Sequence, residues 1–340
     1  MDRRDALKTF AATAGGLFLP KSAISALKSG KSRNFHQICG NNYGWTLNKA
    51  SLEDFIRRHQ DPYVSQQNKE IKGDGKGKIV MLHTALERVT GRKFEPHNQG
   101  APDCVSHAYG LGADILSAVQ IVLKRMPQRW VGFAATEPIY GGSRIEVGHY
   151  EGRGGGSTGH WAAEWIQRYG ILNRQKYPGG YDFTKYDAEK AIEYGYEGCP
   201  DPLEPLTKLH PVKTAALCKS YDECIDCIAN GMPVVVCSNV GFGSGTCRRD
   251  SEGFLTRKRR PWMHAMLFGG FDDKYRRKGC LCFNSWGYDW VTGPTRLNQP
   301  SGTFWVDAAT VDAMLRQGDS FALSAFVGYP KLNLPPYILY

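Results

Sequence analysis

The sequence predicts an α+β fold in which a helical first half meets a strand-rich second half, and three observations carry that reading. Ala108, Leu111, Ile115, Val119 and Val122 recur at three and four residues, the stripe of a helix buried in a core. Beyond Pro233 the apolar residues fall instead into short runs, Pro233 to Ser238, Trp262 to Gly270 and Leu281 to Gly287, which have the length of strands. The chain has 340 residues and is 41% hydrophobic, enough to bury a full core in one large domain or two lobes.

Composition narrows the function classes. The 39 glycines and 18 prolines, with a mean hydropathy of −0.42, describe a loop-rich globular chain and exclude a coiled coil or a disordered one. The net charge of +10 is scattered over local groups such as Arg3-Arg4, Arg257 to Arg260 and Arg276 to Lys278. With no zinc-finger spacing and no aromatic RNA-binding motif beside them, these groups are read as solvated loops and no nucleic-acid partner is expected. No apolar run approaches the roughly 20 residues that span a bilayer, so no transmembrane anchor is expected.

Met1 to Ala26 runs from charged to apolar to small residues, and the Arg3-Arg4 pair with Leu7-Lys8 is similar to a twin-arginine signal; export to the periplasm or outside is the expectation. Residues 27–90 are read as an N-terminal arm, of which residues 27 to about 75 carry no clear periodic pattern except for a short helix near residues 51–58 where Ser51 and Asp54 form a capping box. An inhibitory prodomain is not expected of this arm, which lacks a long helical pattern. Gly73 to Lys78 lacks the Gly-Lys-Ser/Thr ending of a phosphate loop and is read as a turn.

Residues 91–205 form the helical half. Asp103, after Pro102, is placed as N-cap, which puts Cys104 in the first turn of the buried helix, where free N–H groups and the positive end of the dipole favour a thiolate. His107, one turn on, is read as structural. A glycine-rich loop, Gly152 to Gly159, leads into a helix from His160 to Gly170. The proline-rich stretch Cys199 to Pro205 marks the boundary to a second half, 206–340, with a helix over Tyr221 to Asn230 and then mainly strands.

Gln99-Gly100 upstream of a helix-opening Cys104, then Gly155-Gly156, then His264-Ala265 on a strand, then Asn284-Ser285-Trp286-Gly287, in that order, resemble the papain-like cysteine peptidases (peptidase C1 family) over roughly residues 90 to 330. The resemblance implies a papain-like two-lobed fold, a helical lobe and a β-barrel-like lobe, with the active site in the cleft between them. It implies Cys104 as nucleophile and His264 as the base that takes its proton, since a thiol with a pKa of about 8.5 is mostly protonated at neutral pH. Asn284 would orient the imidazole and Trp286 would shield that bond from water. Gln99 and the Cys104 N–H would stabilise the oxyanion. Gly155 and Gly156 would bond an extended peptide substrate. The implied activity is hydrolysis of peptide bonds, as an endopeptidase or an exopeptidase, with no cofactor and no metal. A silent peptide-binding or structural module, and a transpeptidase or amidase acting on cell-wall peptides, are the alternatives.

Four departures stand out. Gln99 lies one residue nearer the cysteine than the family's glutamine, and Asn98 occupies the usual distance; the preserved Gln-Gly pair favours Gln99 as donor, with Asn98 as the alternative. The family's disulfide cysteine three residues before the nucleophile is replaced by Ala101, and Val105 replaces the aromatic that usually follows it. The separations from Cys104 to His264 and Asn284 exceed the family's about 130 to 150 residues, which insertions around 137–153 and 195–210 would supply. Of the ten cysteines, Cys224-x-x-Cys227 near Cys218 lies in a helical pattern without a second knuckle, so zinc is not expected there; the pairing of the remaining thiols stays open.

Overall fold

A computed structural model describes residues 43–67, 74–122, 129–150, 152, 154–208, 212–243 and 245–325. The signal-like segment 1–26 and Cys39 lie outside these residues. No helix among the described residues is long and apolar enough to cross a membrane.

The elements that position the site are helix α1 (Lys49–Arg58), strand β1 (Ile79–Met81), helices α2 (His83–Thr90), α3 (Cys104–Val122), α4 (Thr136–Gly142), α5 (Gly159–Arg168) and α6 (Ala188–Glu197), strand β2 (Thr214–Leu217), helix α7 (Tyr221–Ala229), strands β3 (Val234–Ser238), β4 (His264–Asp272), β5 (Gly279–Phe283) and β6 (Thr303–Asp307), helix α8 (Ala308–Leu315) and strand β7 (Phe321–Ser324). A seven-stranded sheet runs in the order β6-β5-β4-β3-β7-β2, with β1 also paired to β4. Strand β4 has β3 and β1 along one edge and β5 along the other, all antiparallel, and every residue of it is buried. Because its residues point alternately to the two faces and all are buried, both faces are covered, which is why the stretch reads as a continuous apolar run and not as an alternation.

Helix α3 is buried from Cys104 to Gln120. Gly112 is its closest approach to the sheet, where a Cβ would stand 2.8 Å from a Leu323 methyl and 3.3 Å from one of Leu267. Its seam therefore lies on β4 and β7, and its first turn points Cys104 at the start of β4.

Two local readings are corrected. Helix α1 begins earlier than the Ser51–Asp54 box predicts, because Asn48 is the N-cap and its side chain accepts from the Ser51 N–H; the Ser51 hydroxyl is engaged elsewhere. Asp103 precedes α3, but its carboxylate accepts from the Tyr186 hydroxyl at 2.9 Å. The end of the arm joins the core: β1 belongs to the sheet and α2 to the layer on α3.

Candidate active site

The start of α3 and the start of β4 meet through sulfur. The Ala265 N–H donates to Cys104 Sγ at 3.2 Å, which places the thiol beside the residue that follows His264. Strand β3 sets the other side of that strand end, with Ser238 paired to His264. Asn284 follows the last residue of β5, and its Oδ1 lies 2.7 Å from His264 Nε2. The same oxygen accepts from the Ser285 N–H at 2.7 Å. A backbone N–H can only donate, so it is the oxygen of this amide that faces the ring, and His264 Nε2 must carry the proton. The tautomer follows: the lone pair sits on Nδ1, the atom available to take a proton. Trp286 stacks on the imidazole, with ring centroids 4.6 Å apart and planes within 23°.

Gln99 is 2% exposed and fully bonded. Its Oε1 accepts from Ser285 Oγ at 2.7 Å and Trp286 Nε1 at 3.2 Å, which fixes the amide's orientation. Its Nε2 donates to two peptide carbonyls, Ala101 O at 2.8 Å and Tyr43 O at 2.9 Å. Asn98 is exposed and forms a bridge to Trp286 through its backbone. The structure thus brings Cys104, His264, Asn284, Trp286 and Gln99 together, and Asn98 stands at the edge.

The second Gln99 acceptor belongs to a segment that sequence reasoning missed as part of the site. Residues 43–46 run through the cleft as a strap that bends at Tyr43 and Gly44. The N–H groups of Tyr43 and Trp45 reach Met263 O at 3.0 and 3.4 Å; Ser157 N donates to Gly44 O at 2.8 Å, and Thr46 N to Ser157 O at 2.9 Å. Tyr43 lies edge-on to His264 and tilted against Trp286. Gly44 has φ +122°, and a Cβ there would stand 2.2 Å from Pro102 O; only glycine fits this passage. Cys104 and His264 are each 0% exposed. Burial pushes the Cys104 thiol well above its ordinary range; the Ala265 N–H opposes this, and the Asp103 carboxylate adds to it. The thiolate expected at a helix start is therefore not favoured while the strap is in place.

Gly155 and Gly156 lie beside the strap, but the backbone pairing is made by the next residue, Ser157. A Cβ on Gly155 would meet the Pro102 ring at 2.2 Å, and one on Gly156, at φ +106°, would stand 3.0 Å from Gly44 O. The loop is held from beneath by the buried Arg144, which donates to the carbonyls of Gly154, Gly156 and Gly195.

The strap continues into α1, which is clasped to α5. Ser51 Oγ lies 2.9 Å from His160 Nε2, His160 Nδ1 lies 2.9 Å from Asp319 Oδ1, and Asp319 Oδ2 accepts from Trp45 Nε1 at 2.8 Å. The Ser–His–Asp distances are those of a hydrolase triad. Here, however, the Gly159 and His160 N–H groups already donate to Asp319 and the Ser51 oxygen accepts from Trp161 Nε1, so the helix start offers no oxyanion donors and the array serves as a clasp.

The described residues contain no group of three or more His, Cys, Asp or Glu side chains arranged to hold a metal ion. The nine described cysteines are buried and free, Cys224 and Cys280 approaching to 3.9 Å.

No protein-family model and no curated protein matches the sequence. Among solved structures, xylellain, a cysteine protease from Xylella fastidiosa, superposes with a TM-score of 0.55 at 18% identity, covering 86% of this chain and 98% of its own. The fold is papain-like. Digestive procathepsin L 3 of Tenebrio molitor larval midgut is a more distant match, with a TM-score of 0.43 at 12% identity over 89% of this chain and 87% of its own. Within the papain-like frame the strap lies where the first turn of α3 faces the start of β4.

Proposed function

We propose that the chain is a cysteine peptidase, endo- or exo-acting, that hydrolyses peptide bonds through a thioester acyl-enzyme and is held closed by its own strap. The observation that carries the reading is the Gln99 amide: it donates at 2.9 Å to a peptide carbonyl oxygen, the Tyr43 O, beside a thiol and an Asn-oriented imidazole. That is the work of an oxyanion donor on a bound peptide, and it favours Gln99 over Asn98.

In the reaction, His264 Nδ1 takes the Cys104 proton and the sulfur attacks the scissile carbonyl carbon. The carbonyl electrons move to oxygen, stabilised by Gln99 Nε2 and the Cys104 N–H. Collapse breaks the C–N bond, and the imidazolium gives its proton to the departing amine, leaving a thioester. Water, deprotonated by His264, attacks the thioester; its collapse releases the acid and returns the proton to the thiol. Asn284 holds the Nε2–H throughout. The backbone bonds that Met263 O and Ser157 make to the strap support a peptide substrate. Export from the cytoplasm belongs to this reading on the strength of the N-terminal sequence pattern.

The test uses full-length protein and a peptidyl vinyl sulfone. The wild type should label slowly. Gly44→Ala should expel the strap, because its Cβ cannot fit beside Pro102, and labelling should rise by about 10-fold or more. In the Gly44→Ala chain, Cys104→Ala should abolish labelling and His264→Ala should slow it by about 100-fold or more. A Gly44→Ala chain whose Cys104 reacts no faster than a free thiol sinks the enzyme reading. Labelling without cleavage of any peptide in a diverse library would favour a silent or transferase site.

A further inference from the structure

The loop from His97 to Asp103 carries Gln99, and the family's disulfide cysteine is replaced in it by Ala101. Three of its residues instead hang on two side chains. At its start, His97 Nδ1 lies 3.1 Å from His107 Nδ1. In its middle, the Gly100 N–H donates to the Tyr186 hydroxyl at 3.1 Å. At its end, Asp103 Oδ2 accepts from the same hydroxyl at 2.9 Å and lies 3.3 Å from His107 Nε2, an ion-pair distance outside hydrogen-bond geometry. The rings pack edge to face, His97 on His107 at 5.1 Å and His107 on Tyr186 at 4.8 Å.

On its opposite side the loop is tied to the Asn284 segment, through Gly287 N to His97 O and Gln99 N to Ser285 O, both 2.8 Å. It therefore spans from the nucleophile's helix to the segment that orients the base. We propose that His107 and Tyr186 are positioning residues, which set the Gln99 amide against Cys104 by holding the start, middle and end of this loop. The inference rests on the peptidase reading above.

The chemistry of the array is constrained. A contact between two Nδ1 atoms needs one N–H and one lone pair, so only one of the facing nitrogens carries a proton. Burial, with the charges of His107 and Arg174, holds His97 well below the usual imidazole range, which keeps that ring neutral. Burial and the Asp103 carboxylate push the Tyr186 hydroxyl well up, so it remains a donor to Asp103 while accepting from Gly100. His107 is 3% exposed and Asp103 is 0% exposed, so water cannot replace either contact without the loop moving. A displacement of about 1 Å in a catalytic donor costs on the order of 100-fold in rate.

Kinetics are measured in the full-length Gly44→Ala chain. His107→Ala should lower kcat by about 100-fold with KM within about threefold of the parent. His107→Asn, which keeps an atom at the Nδ1 position, and His107→Gln, which keeps one at Nε2, should each recover part of that loss, because each restores one of the two contacts. Tyr186→Phe, which removes one hydroxyl, should lower kcat by about 10-fold and decides the matter if His107→Ala does not fold. A kcat unchanged in Tyr186→Phe, or a loss in His107→Ala that neither Asn nor Gln recovers, overturns the proposal. If the Gly44→Ala parent cleaves no peptide, the peptidase reading falls by itself. The array is then decided by ¹⁵N spectra of the histidines: His97→Asn should move the His107 Nδ1 signal, and an unmoved signal overturns the coupling.

Discussion

At the scale of the residue, Gln99 has four side-chain bonds and no solvent contact, and it joins three parts of the chain: the strap, the loop before Cys104 and the Asn-Ser-Trp-Gly segment. Gln99→Ala would strand the buried Ser285 hydroxyl. A buried orphan costs about 1–3 kcal/mol, so urea unfolding should show a loss of at least that size. In the Gly44→Ala chain the same substitution should lower kcat by about 100-fold or more, the cost of an oxyanion donor. A wild-type kcat in that variant would move the role to Asn98. The sequence singled out Gln99 through the Gln-Gly pair; its partners were not legible, because Tyr43 and Ser285 are brought to it only by the fold.

At the scale of the element, the strap and α1 act as one piece, fixed at Trp45 and Ser51 and at the far end by Arg58. Arg58 pairs with Glu164 at 3.2 Å, and Arg168 with the same carboxylate at 3.0 Å. Burial raises the Glu164 pKa, but Arg58 and then Arg168 outweigh it and hold it below the ordinary carboxylate value. A depressed carboxylate contributes stability that is present above its unfolded value and is lost as pH falls through the folded one. Acid should therefore loosen α1, at pH values below about 4.3, the ordinary glutamate range. Protection against hydrogen exchange across residues 45–58, measured against the unfolded-chain rate at the same pH, should fall there, and Arg58→Ala should lower that protection at neutral pH and make it less dependent on acid. Equal protection at pH 3 and pH 7 would show that the clasp is carried by the Trp45 and Ser51 contacts alone.

At the scale of the whole molecule, the main core among the described residues runs from the strap through α3 to the sheet, with each described cysteine buried in or against it. A bulky disulfide reagent such as dithiobis-nitrobenzoate should thus find the nine described thiols slow in the native wild type and fast in denaturant. In Gly44→Ala one of them, Cys104, should become fast. If several thiols become fast together, the substitution has opened the core and not merely the cleft.

The sequence by itself determined the α+β class, the buried helix opening at Cys104, the strand that carries His264, the Asn284-to-Gly287 segment, and the order that suggested papain-like chemistry. These were readable because each rests on residues close in sequence: a three-and-four stripe, an apolar run with one polar interruption, a four-residue motif. Only the tertiary structure decided that Asn48 caps α1, that Ser157 makes the cleft's backbone pairing, and that Tyr43 to Thr46 fill it. A four-residue strap is too short to show a hydrophobic period, and its backbone hydrogen bonds to Met263 and Ser157 leave no mark in the sequence. Its one signature is a glycine that cannot be replaced, Gly44, and the need for that glycine is set by Pro102, distant in sequence and visible only in space.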